Sequence, residues 1–153
     1  MAEIAEPKTE IYDPATFNPR TAIGGLLSRV KMKLMDALDA ELAPFDITSA
    51  QYVILVNLAN GVDSASALCK GVSYDPGAMT RMVDRLERKG FVRRVRSPED
   101  RRVVKLVLTE EGKAVYPKLL ASATAVMNRK LHGFSKAEAR QLEDLLQRIL
   151  DSD

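Results

Sequence analysis

The chain has no tryptophan, one cysteine and one histidine, and only 5% of its 153 residues are aromatic. Each scarcity narrows function. A single cysteine excludes an intramolecular disulfide and a cysteine-rich zinc site. A single histidine is poor material for a histidine-based metal site or a Ser-His triad. Sparse aromatics weigh against binding single strands on stacking platforms. No apolar run reaches the about 20 residues that span a bilayer, and the first ten residues lack the basic and apolar regions of a secretion signal. There is no glycine-rich phosphate loop and no isolated carboxylate pair suited to glycoside chemistry. The expectation is one cytoplasmic domain, not an enzyme, with no metal, no cofactor and no membrane partner.

What the sequence does hold is cationic charge gathered in one place. Asp75–Thr109 contains ten Lys or Arg and five Asp or Glu, a net +5, whereas the whole chain carries +2. Such local concentration is what a protein gripping a polyanion requires.

The elements around that stretch follow from periodicity and caps. Residues 1–17 read as a loose polar arm. Asn18-Pro19 reads as a helix start, and Ile23, Leu26, Leu27, Val30, Leu34 and Leu38 give the following helix one apolar face as far as Pro44. Thr48 and Gln51 form a capping box, with Ile47 and Tyr52 as a hydrophobic staple, and Asn60-Gly61 ends that helix. Asp63 is the candidate cap of a short helix that Gly71 stops. After Val72-Ser73-Tyr74, Asp75 and Pro76 open a third helix whose buried stripe is Met79, Met82, Val83 and Leu86. Lys89-Gly90 closes it. Phe91–Arg96 and Val103–Leu108 enclose a polar six-residue loop as a hairpin. Thr109-Glu110-Glu111-Gly112 opens a long helix with acids in its first turn, which His132-Gly133 breaks. Ser135 and Glu138 cap the last helix, striped by Leu142, Leu145, Leu146, Ile149 and Leu150.

The fold class is therefore mainly α with a small β-hairpin wing: a winged helix-turn-helix lobe over residues 45–109, and a helical dimerisation region over 18–44 and 110–153. The end helices carry apolar faces wider than a small monomer hides, so they would pair with a second copy. In the lobe, the helix after Asp75 would enter a major groove side-on and present Ala78, Thr80 and Arg81, with Arg85 one turn further on the same face. An arginine can bind guanine bidentately. Arg94 and Arg96 on the first strand, with Arg101 and Arg102 at the hairpin tip, complete the candidate DNA-contact set, the last two suiting a narrow minor groove. Asp100 would brace one tip arginine by a bidentate pair. Two readings compete for the helix alone, since a charge run is also an ordinary solvated face with i,i+3 and i,i+4 pairs. The arginine-rich hairpin directly behind it favours nucleic acid over a module that only binds protein.

Residues 47–112, through ITSAQYVIL, PGAMTRMVDRLERKGFVRR and SPEDRRVVKLVLTEEG, resemble the MarR family of winged-helix regulators, and the flanking helices extend the likeness over about residues 20–150. The resemblance implies an obligate homodimer with interlocked end helices, each subunit reading half of a palindromic operator. It carries base recognition onto Ala78, Thr80, Arg81 and Arg85. It places Arg102, partnered by Asp100, at the D-x-R position of the wing. Members usually repress, and many release DNA on binding a small aromatic or anionic effector between the lobe and the dimer helices. Arg29, Met32, Met35, Tyr52 and Tyr116 are the candidate lining of that cleft; a simple core role is the competing account of the methionines and tyrosines. Cys69 lies in the short helix of the lobe, away from the first long helix where redox-sensing relatives carry their cysteine, and fits a small buried hydrophobe.

Overall fold

The computed structural model describes residues 10–72 and 75–152. Most of the expected arm lies outside the described residues, as does Ser73-Tyr74. Six α-helices and one hairpin follow in chain order among the described residues: α1 Ile23–Leu42, α2 Ser49–Ala59, α3 Ala65–Val72, α4 Pro76–Arg88, β1 Val92–Arg96, β2 Val104–Leu108, α5 Glu110–Lys130 and α6 Lys136–Leu150. Among the same residues no single helix is long and apolar enough to cross a membrane. The chain divides into two compact units, one ending at Lys33 and one running from Leu34 to Asp153.

In the first unit, Asn18-Pro19 makes a turn rather than a helix start. The Asn18 side chain accepts from the Arg20 N–H at 3.0 Å, and its carbonyl accepts from Thr21 and Ala22. This local bonding competes with helix, so α1 begins at Ile23. The Ile23 N–H, one of the unpaired donors of a first turn, donates to the Tyr12 hydroxyl at 3.1 Å. Tyr12 packs edge-on against Phe17, ring centres 5.1 Å apart.

In the second unit most of the local signals hold, the exceptions being at the start and end of α3. Thr48 and Gln51 form both bonds of the capping box. The Asp39 carboxylate accepts from the Ser49 N–H, adding an anion at the α2 start. Gly61 and Gly90 end α2 and α4 in Schellman motifs: Gly61 N–H bonds Leu58 and Val62 N–H bonds Asn57, while Gly90 N–H bonds Glu87 and Phe91 N–H bonds Leu86. Both glycines have positive φ, 88° and 77°. The Asp75 carboxylate accepts from Ala78 N–H at 2.9 Å and caps α4. Ser64, not Asp63, caps α3, its hydroxyl accepting from Ala67 N–H at 3.2 Å. α3 continues through Gly71 to Val72, since one glycine costs a helix only about 1 kcal/mol.

The core is one cluster. Leu42, Ile54, Leu55, Leu68, Met79, Val83, Leu86, Val92 and Leu119 are all nearly or fully inaccessible. The hairpin is antiparallel in the register Val92↔Leu108 to Arg96↔Val104. At its centre Arg94 and Leu106 face each other with their N–H groups turned outward. The Arg94 N–H donates to the Glu87 carboxylate of α4 at 3.1 Å. The Leu106 N–H donates to the Asp63 carbonyl at 2.7 Å.

α5 starts hard against the α4–β1 turn. Thr109 caps it and also donates its hydroxyl to Gly90 O. A Cβ on Gly112 would stand 2.1 Å from the Phe91 carbonyl oxygen. Gly112→Ala is therefore expected to force α5 off that turn, costing about 1–3 kcal/mol as overpacking does, read as a lower urea midpoint with an unchanged m-value.

Candidate nucleic-acid interface

The face of α4 opposite the core is set by the burial of Met79, Val83 and Leu86. With those inward at 3.6 residues per turn, Arg81, Arg85 and Arg88 are left towards solvent. Thr80 is exposed as well, but its hydroxyl donates to Pro76 O at 2.9 Å, which engages its only side-chain donor. Ala78 is half-buried, its N–H held by Asp75.

The hairpin tip is organised by its own acids. Ser97 is buried, and its N–H bonds Val103 O at 2.9 Å to close the loop. The Ser97 hydroxyl donates to the Glu99 carboxylate, and that bond holds the Glu99 carboxyl below its ordinary pKa. The Asp100 carboxylate accepts from the Arg102 backbone N–H at 2.9 Å, and the Asp100 carbonyl accepts from Val103 N–H. The expected bidentate pair between Asp100 and an arginine side chain is absent among the described residues. A short carboxylate two residues ahead reaches the backbone more directly than a long side chain. Asp100 thus shapes the turn and leaves the Arg101 and Arg102 guanidiniums outward.

Charge is sorted accordingly. Three of the ten cations of residues 75–109 sit in ion pairs: Lys89 with Asp46 at 2.9 Å, Lys105 with Asp63 at 3.2 Å, and Arg94 with Asp84 at 2.6 Å and with Glu87. The Asp84 bond first, then Glu87, pushes the Arg94 pKa further above its ordinary value, against an opposing effect of burial. Among the described residues the other seven, Arg81, Arg85, Arg88, Arg93, Arg96, Arg101 and Arg102, have no ion pair. All five acids of the stretch are engaged, two as turn or helix caps, two with Arg94 and one with Ser97. Sequence reasoning misses Ser97, Asp84 and Glu87 as parts of the site; only the S-P-E-D turn composition points towards the first.

The candidate effector residues fall in different surroundings. Tyr52 and Tyr116 are half-buried neighbours, and burial first, then Tyr116, raises the Tyr52 pKa. Tyr116 also lines a cavity of about 750 Å³ with Leu58, Asp63, Arg93, Val95 and Lys113. Met35 is half-buried. Arg29 is exposed, 3.5 Å from the Arg20 carbonyl oxygen, and Met32 is 62% exposed. Cys69 is a free, half-buried thiol. No group of His, Cys, Asp or Glu among the described residues is arranged to hold a metal.

The family model described as MarR family matches residues 47–104. The multiple antibiotic resistance protein MarR of Escherichia coli is 34% identical over 136 residues, covering 88% of this chain and 94% of that protein. The crystal structure of a cysteine-to-serine mutant of E. coli MarR complexed with operator DNA is similar at a TM-score of 0.76 and 33% identity, covering 88% of this chain and 98% of that one. The structure of CouR from Rhodococcus jostii RHA1 bound to p-coumaroyl-CoA gives a TM-score of 0.77 at 28% identity, covering 89% and 96%.

If Asp100 shapes the loop through the backbone, Asp100→Ala should speed amide exchange at Arg102 by about fivefold, the worth of roughly 1 kcal/mol. Exchange in the hairpin strands should hardly change, as read by NMR.

Proposed function

The chain belongs to the MarR family, and from that premise we propose that it is a sequence-specific, ligand-responsive transcriptional repressor that binds double-stranded operator DNA in the cytoplasm as a homodimer. The observation that carries this reading is the sorting of charge. The outer face of α4 and the hairpin carry seven cations without carboxylate partners among the described residues, while the neighbouring acids are tied up in caps and pairs. A solvated face would mix its signs; a surface for phosphates keeps one sign free. In this reading Ala78, Thr80, Arg81 and Arg85 face base edges in the major groove. Arg96 lies near phosphates, and Arg101 and Arg102 enter the minor groove with Asp100 holding their loop. A protein-only interaction module would have no use for that segregation.

The dimer reading rests on unpartnered apolar surface. α6 buries none of its residues, and Leu142, Leu145, Ile149 and Leu150 are exposed along it. Leu120, Met127 and Phe134 are exposed on and after α5, and Ile23, Leu26, Leu27 and Val30 on α1. A soluble monomer rarely leaves that much apolar surface to water. In this reading residues 18–44 and 110–153 are the dimerisation segments, and 45–109 the DNA-binding lobe. Two-fold symmetry then sets two copies of α4 about 34 Å apart, one turn of B-DNA, on a palindromic site. The cavity beside Tyr116 joins the hairpin strands to α5, so a small anion with an aromatic body seated there bears on the spacing of the two lobes. Such an effector relieves repression only by binding the DNA-incompetent geometry more tightly.

Three outcomes test this. Arg102→Ala should weaken operator binding about tenfold or more, the worth of a charge-assisted bond, in a mobility-shift titration. Arg81→Ala should reduce discrimination between operator and random duplex by about 1–3 kcal/mol; equal losses on both duplexes contradict a base contact. Leu145→Glu with Ile149→Glu should yield a monomer in sedimentation equilibrium at micromolar concentration. A wild-type protein that ignores duplex DNA at low salt leaves the protein-interaction module as the better account.

A further inference from the structure

Arg94 stands apart from the other arginines of the stretch. Its guanidinium bonds Asp84 Oδ1 through Nη2 at 2.6 Å and Glu87 Oε2 through Nη1. Its backbone N–H donates to Glu87 Oε1 at 3.1 Å. Glu87 therefore takes both a side-chain and a main-chain donor from one residue. Asp84 and Glu87 are three apart on α4, so they share one flank of that helix. A phosphate approaching Arg94 would meet two carboxylates that already satisfy it.

We propose that Arg94 is a positioning residue: by clasping Asp84 and Glu87 it fixes the angle between α4 and the hairpin, and so the register in which helix and tip meet DNA. The inference rests on the DNA-binding reading above. The two elements are otherwise joined by the Lys89-Gly90-Phe91 turn, whose Gly90 and Phe91 carbonyls accept from the Thr109 hydroxyl and N–H at the core-side start of α5. Packing of Val92 and Leu106 in the same core as α4 restrains sliding of the sheet. The clasp adds a directional restraint on the exposed side, with its three side chains 33%, 49% and 39% accessible. Ion pairs so exposed add little to folding stability. Their effect is orientational. A helix and a tip held at one mutual angle match one groove spacing, whereas a pair free to swing adapts to any duplex.

The test uses the full chain and two duplexes, one enriched by the wild-type protein from a random-sequence library and one scrambled sequence of equal length. A wild-type affinity ratio near one overturns the sequence-specific reading itself, and is thereby distinct from failure of the clasp. Given a large ratio, Arg94→Met and the double variant Asp84→Asn/Glu87→Gln should behave alike. Each should lose about fivefold or more of the ratio, the scale of one base contact. Each should melt within a few degrees of wild type, and Arg94→Met should keep the wild-type salt dependence on scrambled duplex. If Arg94 touched DNA, the variants would diverge. Arg94→Met would lower the salt slope by about 0.9, and the double variant, with its arginine released, would keep the ratio. That divergence overturns the proposal, as does an unchanged ratio in both variants. Equal losses on both duplexes with a large fall in melting temperature would make the clasp a stability element only, and overturn it too.

Discussion

The burial of Met79, Val83 and Leu86 is the constraint from which the interface follows. A 13-residue helix with those three side chains at 0–1% exposure has one orientation left. Its other side must then present Thr80, Arg81, Arg85 and Arg88. Leu68 from α3, Ile54 and Leu55 from α2, and Val92 and Leu106 from the hairpin belong to the same cluster. The core that stabilises the lobe is therefore also the device that aims its cations.

Electrostatic order is built on that frame by local acids rather than by fewer acids. Asp75 serves a helix start, Asp100 a turn, Glu99 a buried serine, and Asp84 with Glu87 a strand arginine. None of them pairs with the seven remaining guanidiniums. The net charge of the whole chain, only +2, is thus a poor guide to the field at this surface, which depends on which cations remain unpaired.

Features encoded by near neighbours are legible in the sequence alone. The capping boxes at Thr48/Gln51 and Ser135/Glu138, the cap at Asp75, the glycine ends at Gly61 and Gly90 and the hairpin all rest on contacts within a few residues or on one local turn. What escapes such reading depends on distance or on competition. Asn18 offers a helix cap and a turn with equal chemistry, and the turn prevails. Asp63 and Ser64 both suit a helix start, and Asp63 is instead drawn to Lys105 and to the Leu106 N–H of β2. Arg94 looks like every other arginine of the run because its partners lie seven and ten residues back, on another element. Asp100 does brace the tip, but its partner is the main chain of Arg102, not a guanidinium.

The outward N–H groups at the middle of the hairpin carry one further consequence. A free two-stranded ribbon exposes two unsatisfied borders and invites another chain to extend it. Here the midpoint of each border is already occupied, by the Glu87 carboxylate on β1 and by the Asp63 carbonyl on β2. A third strand would have to displace one of them, whichever border it joined, before it could zip on. The same carboxylate that holds Arg94 thus guards the β1 border of the ribbon against edge-to-edge aggregation, as the Asp63 carbonyl guards the β2 border.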